Sequence, residues 1–445
     1  MRFTLIALLL ALFLPIFGCG TIDDALSISS ISPSAGTTRG GTVVTISGRG
    51  FGTGTTVTIG GRAAPISETQ ATRLTVTSPS NQNETGAVDV VVTDAANVSV
   101  TRVGGFTYVS MLASINRDSN DIALFNVNRG EQTIEAFSKS PFAAEGTAPR
   151  GVAFDTTDEY LFVTNGNSST VSSFQYSAAD ENITAVDGSP FAAGAVGPIA
   201  CAVDRSLRLL FTANFTSSSV SAFSYTNDTG ELTYIGVSAT GANGINPLDI
   251  ALDDSARLLF VANSVSNTVS VFTYDSQGAL TEVATSPTGT GGTGPASLAL
   301  DISNKLLFVA NSTSNDVSVI RYDNAGALTI VAGSPFDPNG TEPYDIVLDL
   351  SNRYLFVANR SANVVGSFTY STDGTQVTAN GLAADAGGTQ PVALALDIDY
   401  STLFVANAGS SDIQIMSYDT SGVLSHVGNA FDSGGRAPYN LAFIP

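Results

Sequence analysis

Residues with the chemistry to act on a ligand follow a series of regularly spaced prolines. Candidate ligand-binding residues at these positions are Arg150, Asp249, Ser297, Tyr344, Asp345, Tyr439 and Asn440. Two carboxylates, Asp249 and Asp345, can form an acid–base pair or hold a cation. Arg150, Tyr344 and Tyr439 offer donors to an anionic or sugar-like group. The alternative is that all seven are solvated loop positions, so we assign no catalytic residue from the sequence.

Several kinds of site are excluded by composition. The chain has one histidine, His426, and two cysteines, Cys19 and Cys201, which rules out a multi-His metal centre and a disulfide framework. We expect no cofactor. One open alternative is calcium, at an aspartate that recurs beside a turn in each repeat and otherwise suits the capping of backbone N–H groups. This series comprises Asp155, Asp204, Asp253, Asp301, Asp349 and Asp397.

The elements that position these residues are given by an internal repeat of about 48 residues. Its prolines are Pro149, Pro198, Pro247, Pro295, Pro343, Pro391 and Pro438. After each of the first six come four short apolar runs separated by turn residues, the second ending in asparagine, as in Leu258–Asn263. Four strands per repeat are the signature of a β-propeller blade.

Ring closure completes the count of blades. Residues 109–148 carry only the second to fourth strands of a blade, and Pro438–Phe443 supplies a first strand without successors. Pairing of Pro438–Phe443 with the strand that contains Ala113–Asn116 would close the ring and remove exposed sheet edges. We therefore predict a seven-bladed β-propeller over residues 109–445.

The second strands carry a family resemblance. Tyr160–Asn165, which reads Tyr-Leu-Phe-Val-Thr-Asn, and the Leu-Phe-Val-Ala-Asn copies resemble the Tyr-Val-Thr-Asn repeat and the lactonase-like propellers that include 6-phosphogluconolactonase. The resemblance implies a propeller fold and, as an activity, hydrolysis of a sugar lactone. The chain departs from these relatives in having no histidine after any repeat proline, while His426 falls on an outer strand.

Residues 27–108 show alternating Val, Thr and Ile punctuated by glycine, which predicts half-buried strands and turns. The runs Ile31–Gly36, Gly40–Phe51 and Val88–Thr93 resemble the IPT/TIG family of immunoglobulin-like domains. This resemblance implies a β-sandwich that acts as a spacer or binding module. The predicted fold class is thus all-β, with an Ig-like sandwich followed by a seven-bladed propeller closed by the C-terminal strand.

The first residues have the pattern of an export signal. Arg2 precedes the apolar stretch Phe3–Phe17, which is shorter than the roughly 20 residues of a membrane helix. Gly18-Cys19 resembles the processing site of bacterial lipoproteins, with an ordinary cleaved signal peptide as the alternative. We predict a signal peptide over 1–18, lipidation at Cys19, a tether over 19–26, and an exported protein held at the outer membrane.

The formal net charge is −21, from 18 Lys and Arg against 39 Asp and Glu. A nucleic-acid partner is excluded by this balance, because phosphate binding needs clustered basic residues. Expected partners are the membrane, through the lipid anchor, and an envelope protein or a carbohydrate-like ligand. The sequence favours a binding scaffold at the cell envelope. A lactonase-like hydrolase and a structural envelope or matrix protein are the alternatives.

Overall fold

The computed structural model describes residues 25–81, 84–155, 159–177, 180–240 and 244–444. Within these ranges all regular secondary structure is β-strand, and the predicted fold class is confirmed. No helix long and apolar enough to cross a bilayer occurs in them. The predicted signal peptide, Cys19 and the tether up to residue 24 lie outside the described residues.

The N-terminal domain is a sandwich of two sheets. Its strands are β1 (Ser27–Ser32), β2 (Ala35–Thr37), β3 (Val43–Arg49), β4 (Thr56–Ile59), β5 (Arg62–Ala63), β6 (Ile66–Gln70), β7 (Arg73–Thr77), β8 (Gly86–Thr93) and β9 (Ser99–Asn116). One sheet has the order β1-β3-β7-β6; the other runs β5-β4-β8-β9, with β2 parallel to β9. Because successive side chains of a strand point to opposite faces, every second residue faces the core. Val44, Ile46, Leu74 and Val76 are fully buried there.

The sandwich and the propeller share the 18-residue strand β9. Its first part pairs with β8 of the sandwich, and its last part, Met111–Asn116, pairs with two propeller strands. The predicted boundary between residues 108 and 109 falls inside this strand. Because a continuous strand leaves no free linker, the two domains are joined through an unbroken hydrogen-bonded ladder.

In the described residues the propeller has seven blades, each with a path of four antiparallel strands and five of them with a further two-residue strand; they are named here blade 1 to blade 7 in chain order of their first strands. Blades 1 to 3 contain β13 (Pro149–Asp155), β14 (Tyr160–Asn165), β15 (Thr170–Ser177), β16 (Asn182–Ala185), β17 (Phe191–Ala192), β18 (Pro198–Asp204), β19 (Leu209–Asn214), β20 (Ser219–Tyr225), β21 (Leu232–Ala239), β22 (Pro247–Asp253), β23 (Leu258–Asn263), β24 (Thr268–Tyr274), β25 (Leu280–Glu282) and β26 (Thr288–Gly289). Blades 4 to 6 contain β27 (Pro295–Asp301), β28 (Leu306–Asn311), β29 (Asp316–Tyr322), β30 (Leu328–Ile330), β31 (Pro343–Asp349), β32 (Tyr354–Asn359), β33 (Val364–Tyr370), β34 (Val377–Ala379), β35 (Ala384–Asp385), β36 (Pro391–Asp397), β37 (Thr402–Asn407), β38 (Asp412–Tyr418), β39 (Leu424–His426) and β40 (Phe431–Asp432).

Blade 7 is assembled from the two ends of the propeller sequence. It combines β9 with β10 (Asp121–Asn128), β11 (Thr133–Ala136), β12 (Phe142–Ala143) and β41 (Pro438–Ile444). Strand β41 lies innermost and pairs antiparallel with β9, from Pro438 opposite Asn116 to Ile444 opposite Met111. This is the predicted closure, and it is confirmed.

Neighbouring blades are joined by a repeated aromatic contact. A phenylalanine of the second strand lies 4.8–4.9 Å, centroid to centroid, from a tyrosine of the next blade, as in Phe211 with Tyr274. The tyrosine hydroxyl donates to the recurring aspartate of the blade before it; Tyr274 reaches Asp204 at 2.9 Å. The same bond joins Tyr225 to Asp155, Tyr322 to Asp253, Tyr370 to Asp301 and Tyr418 to Asp349. The aspartate series therefore fastens blades together.

The closing blade breaks this pattern in two places. Fully buried Arg129 takes over the link to blade 6, with Nε donating to Asp397 at 2.6 Å and Nη2 to Asp399 at 2.9 Å. At the other junction Ile444 occupies the position of the recurring aspartate. The buried Tyr176 hydroxyl of blade 1 consequently has no hydrogen-bond partner among the described residues.

Candidate functional site

The innermost strand of each blade opens with a repeat proline and a local bulge. In β31, Pro343 pairs with Asn359 while Asp345 pairs with Ala358, so Tyr344 is the extra, unpaired residue. The same shift follows the proline in the first strand of every blade. A bulge re-aims the extra side chain, which places the residue after each proline at one mouth of the central channel.

Three of the predicted residues meet at this mouth. The Arg150 guanidinium donates to the Tyr439 hydroxyl at 3.1 Å, and the Tyr439 and Tyr344 hydroxyls lie 2.5 Å apart. Arg150 also lies 4.9 Å from the centre of the Tyr439 ring, within cation–π range. Because these residues come from blades 1, 7 and 5, only ring closure brings them together.

Two further arginines, Arg117 and Arg360, were not predicted. Arg117 lies 5.5 Å from the centre of the Tyr439 ring, and Arg360 lies 5.2 Å from that of Tyr344. Each directly follows the asparagine that ends a second strand. Comparing the residue after that asparagine across the repeats would have identified both arginines from the sequence.

The arginines differ in what balances their charge. Arg117 pairs with Asp118 at 2.7 Å and Arg360 with Glu342 at 2.9 Å. Arg150 has no ion pair with any carboxylate in the described ranges. Since Arg150 is only partly buried, its guanidinium remains available to a ligand anion.

A cavity of about 360 Å³ opens at the mouth. Arg150, Tyr344 and Tyr439 line one part of it, and Ile199, Phe215 and Leu248 line another. This volume falls in the range of small-molecule pockets. We call this cavity the mouth pocket.

The two predicted carboxylates are brought together along the channel with Ser297 between them. Ser297 Oγ donates to Asp345 Oδ1 at 2.8 Å, and the Ser297 hydroxyl also acts to lower the pKa of Asp249. Asp249 and Asp345 directly follow Leu248 and Tyr344, two residues of the mouth pocket. The carboxylates therefore stand one residue further along the strands that form the pocket.

Each carboxylate also accepts hydrogen bonds from the inner edges of two blades. Asp249 accepts from the N–H of Ile250 at 2.8 Å and from that of Leu298, in the next blade, at 2.7 Å. Asp345 makes the matching contacts with Ile346 at 2.8 Å and Leu394 at 2.6 Å. Within the described residues no strand pairs with the inner edges of these first strands, so the carboxylates satisfy N–H groups there.

Burial dominates the acid–base behaviour of this pair. Desolvation raises the pKa of Asp249 to about 7, the charge of Asp345 adds to the rise, and the N–H groups of Leu298 and Ile250 oppose it. Desolvation also raises the pKa of Asp345, against hydrogen bonds from Leu394 and Ser297. Asp249 thus exchanges a proton near neutral pH.

Other residues considered from the sequence lie apart from this arrangement. Asn440 occupies the corresponding position in β41, but within the described ranges no side-chain hydrogen bond joins it to either group. His426 lies on the outermost strand β39, with Nε2 2.8 Å from the carbonyl oxygen of Asp385. Cys201 is partly buried, and desolvation raises the pKa of its thiol to about 12.

No group of three or more His, Cys, Asp or Glu side chains able to hold a metal ion occurs in the part of the chain that the structure describes. Five members of the recurring aspartate series accept the interblade tyrosine bonds, and Asp397 binds Arg129. Their oxygens also accept from their own turns, as Asp253 does from Ser255 at 2.6 Å.

Comparison with known proteins agrees with this architecture. Residues 193–437 match the model of the lactonase family, a seven-bladed β-propeller, and residues 26–108 match the IPT/TIG domain. No curated protein matches the chain.

Solved structures share the propeller fold at low sequence identity. A protein from Lactobacillus plantarum is 19% identical, with a TM-score of 0.66 over 76% of this chain and 99% of its own. A Bacteroides fragilis protein provisionally named a 6-phosphogluconolactonase is 18% identical, with a TM-score of 0.65 over 76% and 98%. A periplasmic gluconolactonase from Pseudomonas aeruginosa is 18% identical, with a TM-score of 0.63 over 76% and 99%. The chain described here belongs to the lactonase family of seven-bladed β-propellers and carries an IPT/TIG domain before its propeller.

Proposed function

We propose that the protein hydrolyses a lactone in the channel of its propeller. The observation that carries the proposal is the Asp249–Ser297–Asp345 array, in which burial raises the pKa of Asp249 to about 7. A general base works best when its pKa lies near the working pH. The membership of the lactonase family and the 6-phosphogluconolactonase and gluconolactonase names of two structural neighbours agree with this chemistry.

Each group has a role in the proposed reaction. The ionised carboxylate of the array takes a proton from water, whose oxygen attacks the lactone carbonyl. Arg150 and the Tyr439 hydroxyl supply donors for the negative charge that develops on the carbonyl oxygen. When the ring C–O bond breaks, the leaving alkoxide recovers the proton from the carboxyl group. The product is a hydroxy acid, whose carboxylate Arg150 can hold.

This proposal favours the hydrolase over the binding scaffold that the sequence had favoured. The prediction of a binding scaffold rested on the absence of histidine from the channel, since histidine is the usual base near neutral pH. A carboxylate desolvated between two blades supplies the same proton chemistry. The hydrolase is therefore the better-supported function.

The test is an assay of acid release from a panel of sugar lactones, including gluconolactone, with the buffer rate subtracted. We expect turnover by the wild type and a loss of at least about 100-fold in kcat for Asp249→Asn or Asp345→Asn, because positioned acid–base groups contribute 10²–10⁴-fold. His426→Gln, which changes the one histidine far from the channel, serves as the matched control. Absence of turnover by the wild-type protein, or an unchanged rate in both Asp variants, would contradict the hydrolase proposal and favour the binding scaffold.

We also propose that the protein is exported and lipid-anchored at the outer membrane. The proposal is supported by the Arg2, apolar stretch and Gly18-Cys19 pattern. The periplasmic origin of the Pseudomonas aeruginosa neighbour is compatible with export.

A further inference from the structure

The two sides of the propeller mouth differ in chemistry. At the position two residues before the repeat proline, blades 2 and 3 carry Val196 and Ile245, whereas the other blades carry threonine or arginine. At the position after the proline, the same two blades carry Ile199 and Leu248. The loops that follow their second strands add Phe215 and Val265. We call these six residues the apolar rim.

Three of the six residues of the apolar rim are exposed to solvent. Val196, Ile245 and Val265 are 54%, 44% and 60% exposed. Ile245 and Val265 belong to adjacent loops, because the N–H of Val265 donates to the carbonyl of Ile245 at 3.3 Å. Large apolar side chains that gather in the open beside a pocket mark a binding surface more often than isolated ones do.

Half of the apolar rim lines the same cavity as the positive charge. Ile199, Phe215 and Leu248 line the mouth pocket together with Arg150, Tyr344 and Tyr439. A ligand in this pocket therefore meets, on one side, a phenol and a guanidinium that has no carboxylate partner among the described residues, and hydrocarbon on the other. A bare polyhydroxylated sugar would leave the hydrocarbon side unmatched, since its hydroxyl groups would lose water there without gaining partners.

We propose that the mouth pocket selects an amphipathic carboxylate, whose charged head binds Arg150 and Tyr439 and whose aliphatic tail lies on the apolar rim. The inference rests on the proposed lactonase function, because the hydroxy acid formed by lactone hydrolysis carries such a head. It predicts that lactones with an aliphatic substituent are hydrolysed with a higher kcat/KM than gluconolactone. Tail length and headgroup charge then contribute separately to affinity.

The experiment measures binding of butanoate, hexanoate and octanoate to the purified protein by isothermal titration calorimetry. We expect affinity to rise with chain length, by up to about fourfold for each methylene that becomes fully buried. The double variant Ile245→Thr, Val265→Thr should flatten this dependence. Both residues are exposed, so the changes should not affect folding. Val423→Thr, at an exposed valine in an outer turn of blade 6, is the matched control.

A second variant tests the contribution of the carboxylate head to affinity separately from that of the aliphatic tail. Arg150→Gln should weaken all three carboxylates by a similar factor while leaving the chain-length dependence in place. Affinity that does not change with chain length, a dependence that survives in the double variant, or no binding of any alkanoate would overturn the inference.

Failure of the inference can be told apart from failure of the proposed function. Turnover of gluconolactone with flat alkanoate binding would leave the hydrolase in place and reject the apolar-tail selection. Chain-length-dependent binding without turnover of any lactone, including alkyl-substituted ones, would reject the hydrolase on which the substrate assignment rests. Asp249→Asn should retain alkanoate binding while losing hydrolysis.

Discussion

At the scale of single residues, Asp249 combines a structural and a chemical role. Its carboxylate satisfies backbone N–H groups of two blades, which holds the inner edges of these strands in place. The same enclosure removes water and raises its pKa to about 7. A group that is needed by the fold is therefore also able to exchange protons at neutral pH.

The pKa of Asp249 predicts how activity depends on pH. If the ionised carboxylate is the base, kcat/KM should rise about tenfold per pH unit below pH 7 and level off above it. The measurement is a pH–rate profile on gluconolactone. A profile without an inflection between pH 6 and 8 would contradict the assignment.

The same pKa predicts a stability effect that needs no substrate. A carboxyl group whose pKa is raised by folding, from about 4 to about 7, binds its proton more tightly in the folded state. Its contribution to stability is therefore present below pH 4 and is lost as pH rises to 7. The difference in Tm between Asp249→Asn and wild type should shift in favour of the variant from pH 5 to pH 8. A pH-independent difference would argue against the raised pKa.

The interblade tyrosines allow a matched comparison of one hydroxyl in two settings. Tyr274 donates to Asp204, whereas the equally buried Tyr176 faces a junction where Ile444 replaces the aspartate. Tyr274→Phe should lower the free energy of unfolding by about 1.5–3 kcal/mol, because it removes a buried bond to a charged acceptor. Tyr176→Phe should be neutral or stabilising. Urea unfolding measures both, and equal losses would mean that the aspartate bond is not the cause.

At the scale of elements, strand β41 determines whether the ring is complete. It supplies the inner strand of blade 7 and carries Tyr439, which links Arg150 to Tyr344. Arg129 fastens the same blade to blade 6 in place of the tyrosine used elsewhere. The candidate site and the closure of the fold therefore depend on the same strand.

Deletion of residues 438–445 tests this dependence. The open edge of β9 should expose unpaired backbone groups, so we expect loss of cooperative thermal unfolding or aggregation, measured by calorimetry and light scattering. A synthetic peptide of residues 436–445 added in trans is the control, since it should restore part of the transition. Unchanged unfolding of the truncated chain would contradict closure by β41.

At the scale of the whole molecule, the sandwich lies against the face of the propeller opposite the mouth pocket. Its Arg39 is subject to the charges of Arg205 and Asp399, and its Thr42 acts to lower the pKa of Glu159. These three partners lie in the turns after the first strands of blades 1, 2 and 6. Burial and the nearby Arg205 charge lower the pKa of Arg39. The mouth pocket therefore stays open on the far side from the sandwich.

The proposed lipid anchor would tether the molecule through its sandwich end. Cys19→Ala should move the protein from the membrane fraction to the soluble fraction of cells, because a lipidated cysteine is the proposed attachment. Cys201→Ala, at the partly buried thiol of the propeller, is the matched control and should not change the distribution. Equal membrane association of wild type and Cys19→Ala, measured by fractionation and immunoblotting, would refute lipidation at this residue.

The sequence by itself determined the repeat, the number of blades and the closing strand, because proline spacing and strand alternation are local and recur every 48 residues or so. It also placed Asp249, Ser297 and Asp345 at equivalent positions of three consecutive blades. Only the tertiary structure decided that Ser297 donates to Asp345 and affects the pKa of Asp249, since both depend on the spacing of blades around the channel. Likewise, Arg117 joins the site through the ring of Tyr439, which β41 brings into the same blade from the far end of the chain. Desolvation, and with it the pKa of Asp249, is a property of the packed channel and cannot be read from residue order.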